Sequence, residues 1–554
     1  MSKKNIITVI VLSITILLGI TTRFYKLGSA PSGLNSDEAG QGYSAYSILK
    51  TGKDEFGKSF PILFRSSGDF KTPVYTYLAI PSISIFGLTP FAIRFPSAFF
   101  SVLTIPILYF LVRKLSKNNF LSLTSALLLA ISPWAILFGR TGYEATVSLF
   151  FFVSACLAFY LSLKKPWIIV LSAILFAIAI PAYHSERIVA PLLIFVLFIR
   201  HHKLLLSKTH LKYLIIGGIF ALIISLPTIL IARTPGFFAR VSNLNIFTVK
   251  EPAGFLANYH GILSPIVNNK KLLSIHEFAS LYLSYFSPRF MFLLGDSGPR
   301  SSFPELSTFF VWQFPFYIYG AFLLIKNDKF HKLSEFQFFT IAFLLISPIT
   351  AAFTRDPYSS TRALQMVVPL TIIISMAIYE TYYKLKFKNK NIIFTGTFIL
   401  IIIYSLLKLY SSAIILNEHY RAVAWEYGWQ PAANVIKTLN QNLPITVDTS
   451  RNVGYIQLAF FLKANPFLYQ QQNFEVSPNE YYTNLKQNSV KRIGNITLQA
   501  INWERDLPIH QYLVGDNLAI SNQQIKEHNL HIIKDIYYPD GTIALRIVET
   551  NPKK

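Results

Sequence analysis

Cysteine is nearly missing. Cys156 is the only one in 554 residues, and it lies in an apolar run, so no intrachain disulfide can brace an exported part and stability must come from packing. Charge is scarce as well: 14% of residues are charged against 52% hydrophobic and 15% aromatic, which is too apolar for an ordinary soluble enzyme. Acids are the scarcest, with 27 Asp and Glu facing 51 Lys and Arg for a formal net charge of +24. Such an excess raises nucleic acid as a partner. The basic residues, however, recur in small groups between apolar stretches instead of along one face, which speaks for membrane topology and against nucleic acid. There is no Gly-rich phosphate loop or dinucleotide fingerprint, which argues against a soluble nucleotide-sugar or ATP as a substrate. No small-x-small cleavage pattern follows the apolar run after Lys3 and Lys4, so that run reads as a first span and not as a signal peptide.

What is present is a series of apolar stretches. A helix needs about 20 mostly apolar residues to cross a bilayer, and eleven candidates fit or nearly fit: 6–22, 95–112, 120–138, 145–163, 167–181, 188–198, 213–232, 306–325, 336–353, 363–382 and 391–410. Threading from an inside N-terminus places Arg113, Lys114 and Lys117 inside, then Lys164 and Lys165, then Arg200, Lys203, Lys208 and Lys212. Lys326, Lys329 and Lys332 follow, and finally Lys384, Lys386, Lys388 and Lys390, as the positive-inside rule asks. The stretch 73–86 is a further apolar candidate. Accepting it as a span would put every later Lys-rich loop outside, so it reads as interfacial or re-entrant, which Pro73 and Pro81 suit.

The same threading sorts the acids. Of those before Tyr410, only Asp328, Glu335 and Glu380 fall inside, so carboxylate chemistry belongs to the outer face. The expected architecture is a polytopic α-helical membrane domain, 1–410, with outer loops at 23–94 and 233–305. A water-soluble α/β domain, 411–554, lies outside by parity. Its β-branched runs and balanced charge mark the change of character.

Polar groups gather where spans emerge on the outer side. GLNSDEAGQGYSAYSILKTG carries Asp37 and Glu38, and Asp69 and Lys71 follow. GRTGYEA carries Arg140, Tyr143 and Glu144; PAYHSERIVAP carries His184, Glu186 and Arg187. YFSPRFMFLLGDSGPR carries Arg289, Asp296 and Arg300, and TRDPYSSTRALQMVVP carries Arg355, Asp356, Tyr358 and Arg362. Each has an ordinary structural explanation. Asp and Glu favour the first turn of a helix, and Arg, Lys, Tyr and Trp anchor span ends in headgroups. The clustering carries the functional reading: arginine forks match phosphate oxygens, and a carboxylate can take a proton from an attacking hydroxyl. Together they suggest group transfer from a lipid phosphate. Asp37, Asp69, Glu144 and His184 are also plausible ligands for a divalent metal ion.

The sequence resembles the C-type superfamily of integral-membrane glycosyltransferases, and most of all the bacterial relatives of protein O-mannosyltransferases and of the lipid A aminoarabinose transferase. The matching pattern is a first span, then NSDEAGQGYSAYSIL, DFKTPVYTYL before FGLTPFAIRFPSAF, FGRTGYEA after the third span, and YFSPRFMFLLGDSGPR in a later outer loop. The resemblance covers roughly 1–382. It implies a polyprenyl-phosphate-linked sugar donor and a protein, glycan or lipid acceptor outside a bacterial cytoplasmic membrane. Carried over by motif, Asp37 becomes the catalytic base, with Glu38 beside it. Lys71, Arg140, Arg289 and Arg362 become donor-phosphate contacts, and Asp69, Tyr143, Glu144, His184 and Asp296 shape the site. DFKTPV replaces the usual Lys-Pro-Pro. The tail matches no motif.

The rival reading is a transporter or flippase of lipid-linked sugars. Such proteins place ionisable groups within spans near the bilayer midplane, whereas these spans are almost free of them.

Overall fold

A computed structural model describes residues 3–66, 69–238, 261–262, 269–326, 333–354, 356–451, 454–485 and 490–551. Arg355, Asp328, Lys329, Lys332 and much of the loop 233–305 lie outside the described residues.

All eleven apolar candidates are helical. Among the described residues eight helices are long and apolar enough to cross a membrane, and the pair Asn119–Ile131 and Pro133–Gly139, bent by 54°, makes a ninth if it is one span. Ile168–Ala182 and the helix ending at Ile325 are shorter, as is Pro73–Phe86. The protein is a multi-pass membrane protein. In order, the first ten helices are α1 (Lys3–Phe24), α2 (Ser36–Thr51), α3 (Pro73–Phe86), α4 (Pro90–Ser116), α5 (Asn119–Ile131), α6 (Pro133–Gly139), α7 (Glu144–Ser162), α8 (Ile168–Ala182), α9 (Glu186–Leu205) and α10 (Lys208–Leu230).

Small side chains let these helices approach. Ser148 donates to the Ala179 carbonyl at 3.1 Å and Ser172 to the Ala155 carbonyl at 2.9 Å, which ties α7 to α8 by hydrogen bonds across the interface. Gly320, in the helix Phe314–Ile325, lies so close to the helix Val367–Lys384 that a Cβ would come 2.2 Å from the Ile373 carbonyl oxygen. The bend between α5 and α6 falls at Ser132-Pro133. Proline removes a helical donor there, and the Ser132 hydroxyl caps the new helix by accepting the Ala135 amide at 3.3 Å.

The helix Lys390–Tyr410 runs on through a π-helical turn, Ser411–Leu416, into Asn417–Arg421. The helical run therefore continues about three turns past Tyr410. Beyond it lies the sheet-containing domain, six strands in the order β4-β5-β3-β6-β8-β7. These are β3 (Ile445–Val447), β4 (Lys491–Ile493), β5 (Ile496–Leu498), β6 (Tyr512–Gly515), β7 (His531–Tyr537) and β8 (Ile543–Glu549). β3 runs parallel to β5 and β6, and the other pairings are antiparallel. A two-stranded hairpin in the first loop, β1 (Phe64–Ser66) with β2 (Asp69–Lys71), completes the strands.

This domain is not detached. Helix Gly454–Phe461 packs Ile456, Ala459 and Phe460 against Ala39 and Tyr43 of α2 in one apolar cluster. The Tyr481 and Tyr482 hydroxyl oxygens accept the Arg65 and Ile62 amides, both at 2.8 Å, and their rings meet Phe70. A buried set of charges seals the joint. Asp54 accepts from the Tyr481 hydroxyl, Arg65 lies 3.7 Å from Glu475, and Lys491 pairs with Glu475.

Candidate functional site

Asp37 and Glu38 do begin a helix. Asn35 caps α2, its Oδ1 accepting the Asp37 and Glu38 amides at 2.9 and 3.1 Å, and Glu38 Oε2 returns the bond by accepting the Asn35 amide at 3.3 Å. This capping box satisfies first-turn N–H groups that would otherwise be orphaned. The helix-start reading is correct locally, yet it leaves one of the two carboxylates with more to do.

The side chains diverge at once. Glu38 is 1% exposed and meets Arg94 of α4 through two bonds, Nε to Oε1 at 2.9 Å and Nη2 to Oε2 at 3.0 Å. Glu38 Oε1 also accepts the Gly142 amide at 2.7 Å. Arg94 holds the carbonyls of Leu27, Pro31 and Gly33. Asp37 instead keeps 38% of its side-chain surface open and lies 3.0 Å from Lys71 Nζ. The hairpin delivers that lysine. Asp69 begins β2 opposite Ser66 of β1, two residues before Lys71 and on the same face of the strand, at 3.9 Å from Nζ. Thr72 then donates to the Ala182 carbonyl at 2.9 Å, and His184 Nε2 lies 3.1 Å from the Phe70 carbonyl oxygen, so the α8–α9 junction supports the hairpin from below.

Tyr143, at the start of α7, borders this pair. Burial pushes its phenol up; the Asp37 carboxylate pushes the same way, Arg300 opposes them, and Glu38 and Glu144 add smaller upward pushes. Glu144 is buried in the first turn of α7. Asp37, Asp69, Lys71, Tyr143 and His184 are thus brought into one neighbourhood, with Glu38 and Glu144 behind it.

Of the other expected phosphate contacts, two are engaged with groups of the protein and one is exposed. Arg140 is buried and spends its fork on carbonyls at the end of α1 and beyond: Thr22 at 3.0 Å, Arg23 at 3.3 Å and Ala30 at 2.9 Å. Burial, with Arg94 close by, pulls its guanidinium down to about 10. Through these bonds it braces the chain between α1 and α2. Arg362 pairs with Asp356 and donates to Thr354 at 2.9 Å, and Arg289 is exposed on the π-helical turn Arg289–Leu294. Asp296 is also structural, accepting the Gly298 amide at 2.8 Å and both the amide and hydroxyl of Ser360 at 2.7 Å.

Among the described residues no three His, Cys, Asp or Glu side chains come close enough to hold an ion. The charge beside Asp37 and Asp69 is the Lys71 ammonium, and His184 is turned to a backbone carbonyl.

Arg94 and Arg300 are the residues that the motifs carried without a role being read from them. Arg94 stands in FAIRFPSAF and Arg300 ends FMFLLGDSGPR. Arg300 opposes the upward push that burial gives both the Tyr143 phenol and the Glu426 carboxyl, so one guanidinium lies within electrostatic reach of the Asp37 neighbourhood and of the C-terminal domain.

A bundle of apolar helices with a carboxylate and a lysine paired at one end, and a mixed-sheet domain packed on that end, has the fold of the C-type integral-membrane glycosyltransferases. Residues 70–231 match the family described as dolichyl-phosphate-mannose-protein mannosyltransferase, a stretch that runs from Phe70 to the end of α10 and takes in Lys71 and Arg94. The chain is also similar to the crystal structure of ArnT from Cupriavidus metallidurans bound to undecaprenyl phosphate, at 12% identity and a TM-score of 0.54, over 98% of this chain and 99% of that one. The apo form of the same protein matches at 10% identity and a TM-score of 0.52, over the whole of both chains. At these identities the likeness is one of fold. No curated protein matches the sequence.

Proposed function

We propose that the protein transfers a sugar from a polyprenyl-phosphate donor to an acceptor hydroxyl at the outer face of a bacterial cytoplasmic membrane. The observation that carries this reading is the 3.0 Å pair of Asp37 and Lys71, partly open to solvent at the N-terminus of a capped helix. The family matched over residues 70–231 and the undecaprenyl phosphate held by ArnT support the class of donor.

In this reading Asp37 accepts the proton of the acceptor hydroxyl as that oxygen attacks the anomeric carbon. The bond from the anomeric carbon to the phosphate oxygen breaks, and its electron pair leaves with polyprenyl phosphate. A single displacement inverts the anomeric centre. Charge grows on the departing phosphate, so a fixed cation stabilises the transition state more than the ground state. Lys71 is that cation and Arg300 a second. On donor binding the Lys71 ammonium is shared between the Asp37 carboxylate and the phosphate. Glu38 acts through position, by tying the first turn of α2 to α4.

The test is mass spectrometry of the lipids retained by wild-type protein and by Asp37→Asn, both extracted gently from native membranes. Enrichment of a polyprenyl-phosphate sugar on the variant supports transfer and its mass narrows the sugar. Absence of any such lipid from both folded forms counts against it and favours a transporter.

A further inference from the structure

Helix α2 is gripped from the C-terminal domain at the residues flanking its cap. Glu426 Oε1 accepts the Ser36 amide at 3.2 Å, and Oε2 accepts Gln457 Nε2 at 2.7 Å. The same Gln457 nitrogen donates to the Leu34 carbonyl at 2.6 Å. One carboxylate and one amide therefore hold both neighbours of Asn35, and Ser36 is the residue immediately before Asp37.

The grip is built at some expense. Glu426 has φ +56°, in the left-handed region that a glutamate adopts only under local strain. Burial pushes its carboxyl up, against bonds from Gln457 and Ser36 and the pull of Arg300. Gln457 is fully buried. Beside them the Gly33 backbone touches the chain so closely that a Cβ would sit 1.9 Å from the Trp425 carbonyl oxygen. Attachment of the domain does not require this, because the apolar contact of Ile456, Ala459 and Phe460 with α2 already provides it. A hydrophobic contact is non-directional. A strained, desolvated, directional pair fixes where the first turn lies.

We infer that Glu426 and Gln457 are positioning residues for Asp37, an inference that rests on the transfer reaction proposed above. They hold the first turn of α2 so that Asp37 stays 3.0 Å from Lys71. The C-terminal domain is thereby a working part of the site.

The experiment compares wild-type protein, Glu426→Ala, Glu426→Gln, Gln457→Leu and Asp37→Asn, all full-length. Amide hydrogen exchange is followed by mass spectrometry, and turnover is read as release of undecaprenyl phosphate from undecaprenyl-phosphate mannose. In Glu426→Ala, exchange over 34–38 should quicken about tenfold and kcat fall at least about tenfold, with donor KM within about twofold, since only the held geometry is lost. Glu426→Gln keeps an acceptor for the Ser36 amide and should recover most of both. Gln457→Leu should resemble Glu426→Ala and decides the matter where the latter does not fold. Unchanged exchange over 34–38 in Glu426→Ala or Gln457→Leu overturns the inference, as does unchanged kcat where Asp37→Asn is inactive. Full activity in Asp37→Asn, or no turnover of this donor by wild-type protein, counts instead against the transfer reading, and the exchange arm then judges the grip alone.

Discussion

Asp37 and Glu38 are adjacent in the chain and opposite in surroundings. The Glu38–Arg94 pair is sealed between α2 and α4, every charge spent on a partner inside the protein. The Asp37–Lys71 pair stands at the same helix end with more than a third of the carboxylate's side-chain surface open. The difference teaches how a helix start can serve two ends: the inward carboxylate fixes the geometry, while the outward one stays partly open to solvent. A buried ion pair costs desolvation and is a weak source of stability, but removing one partner strands the other. An exposed pair contributes little to stability. The two should therefore separate under mutation.

The largest effect is expected at the sealed pair. Arg94→Met should lower unfolding stability by about 3–5 kcal/mol, read from thermal denaturation in detergent; a loss similar to that of Asp37→Asn would erase the contrast between the pairs. Asp37→Asn should leave stability within about 1 kcal/mol while turnover falls by about a hundredfold or more.

A third case lies between them. Asp54, buried where the first loop meets the C-terminal domain, has its carboxyl pushed up to about 6 by burial, against bonds from Tyr481 and the Lys58 and Phe56 amides. A raised acid favours the neutral form in the folded state. Its stability contribution is complete below the ordinary carboxylate range and is lost as pH rises through about 6. Lowering pH from 7.5 to 5 should thus raise stability by about 1.4 kcal/mol, and Asp54→Asn should flatten that dependence. The smallest effect belongs to Lys71→Met, for which kcat should fall by about tenfold with stability nearly unchanged, the size of one charge-assisted contact made to the departing phosphate.

Much of this was legible in the chain. The apolar stretches appear as helices because a run of Leu, Ile and Phe with no charge has few other stable arrangements. The capping box could be read from NSDE, since the spacing of Asn35 and Glu38 is local. The fate of the arginines could not. Arg140 and Arg362 have the same residue type and the same position near a span end as a phosphate ligand, and only the packed structure shows their donors spent on carbonyls, Thr354 and Asp356. Glu426, in AWEYGW, belongs to no motif, and its partner Ser36 is 390 residues away.

The sequence by itself determined the membrane class, the series of helices, the start of α2 and the carboxylate pair upon it, because these follow from hydropathy and from interactions a few residues long. The tertiary structure alone decided which carboxylate is sealed and which is open, which cation meets it, and that the C-terminal domain closes on the same helix end. Those outcomes depend on burial and on contacts between distant segments, and no local pattern encodes what lies on the other side of a side chain.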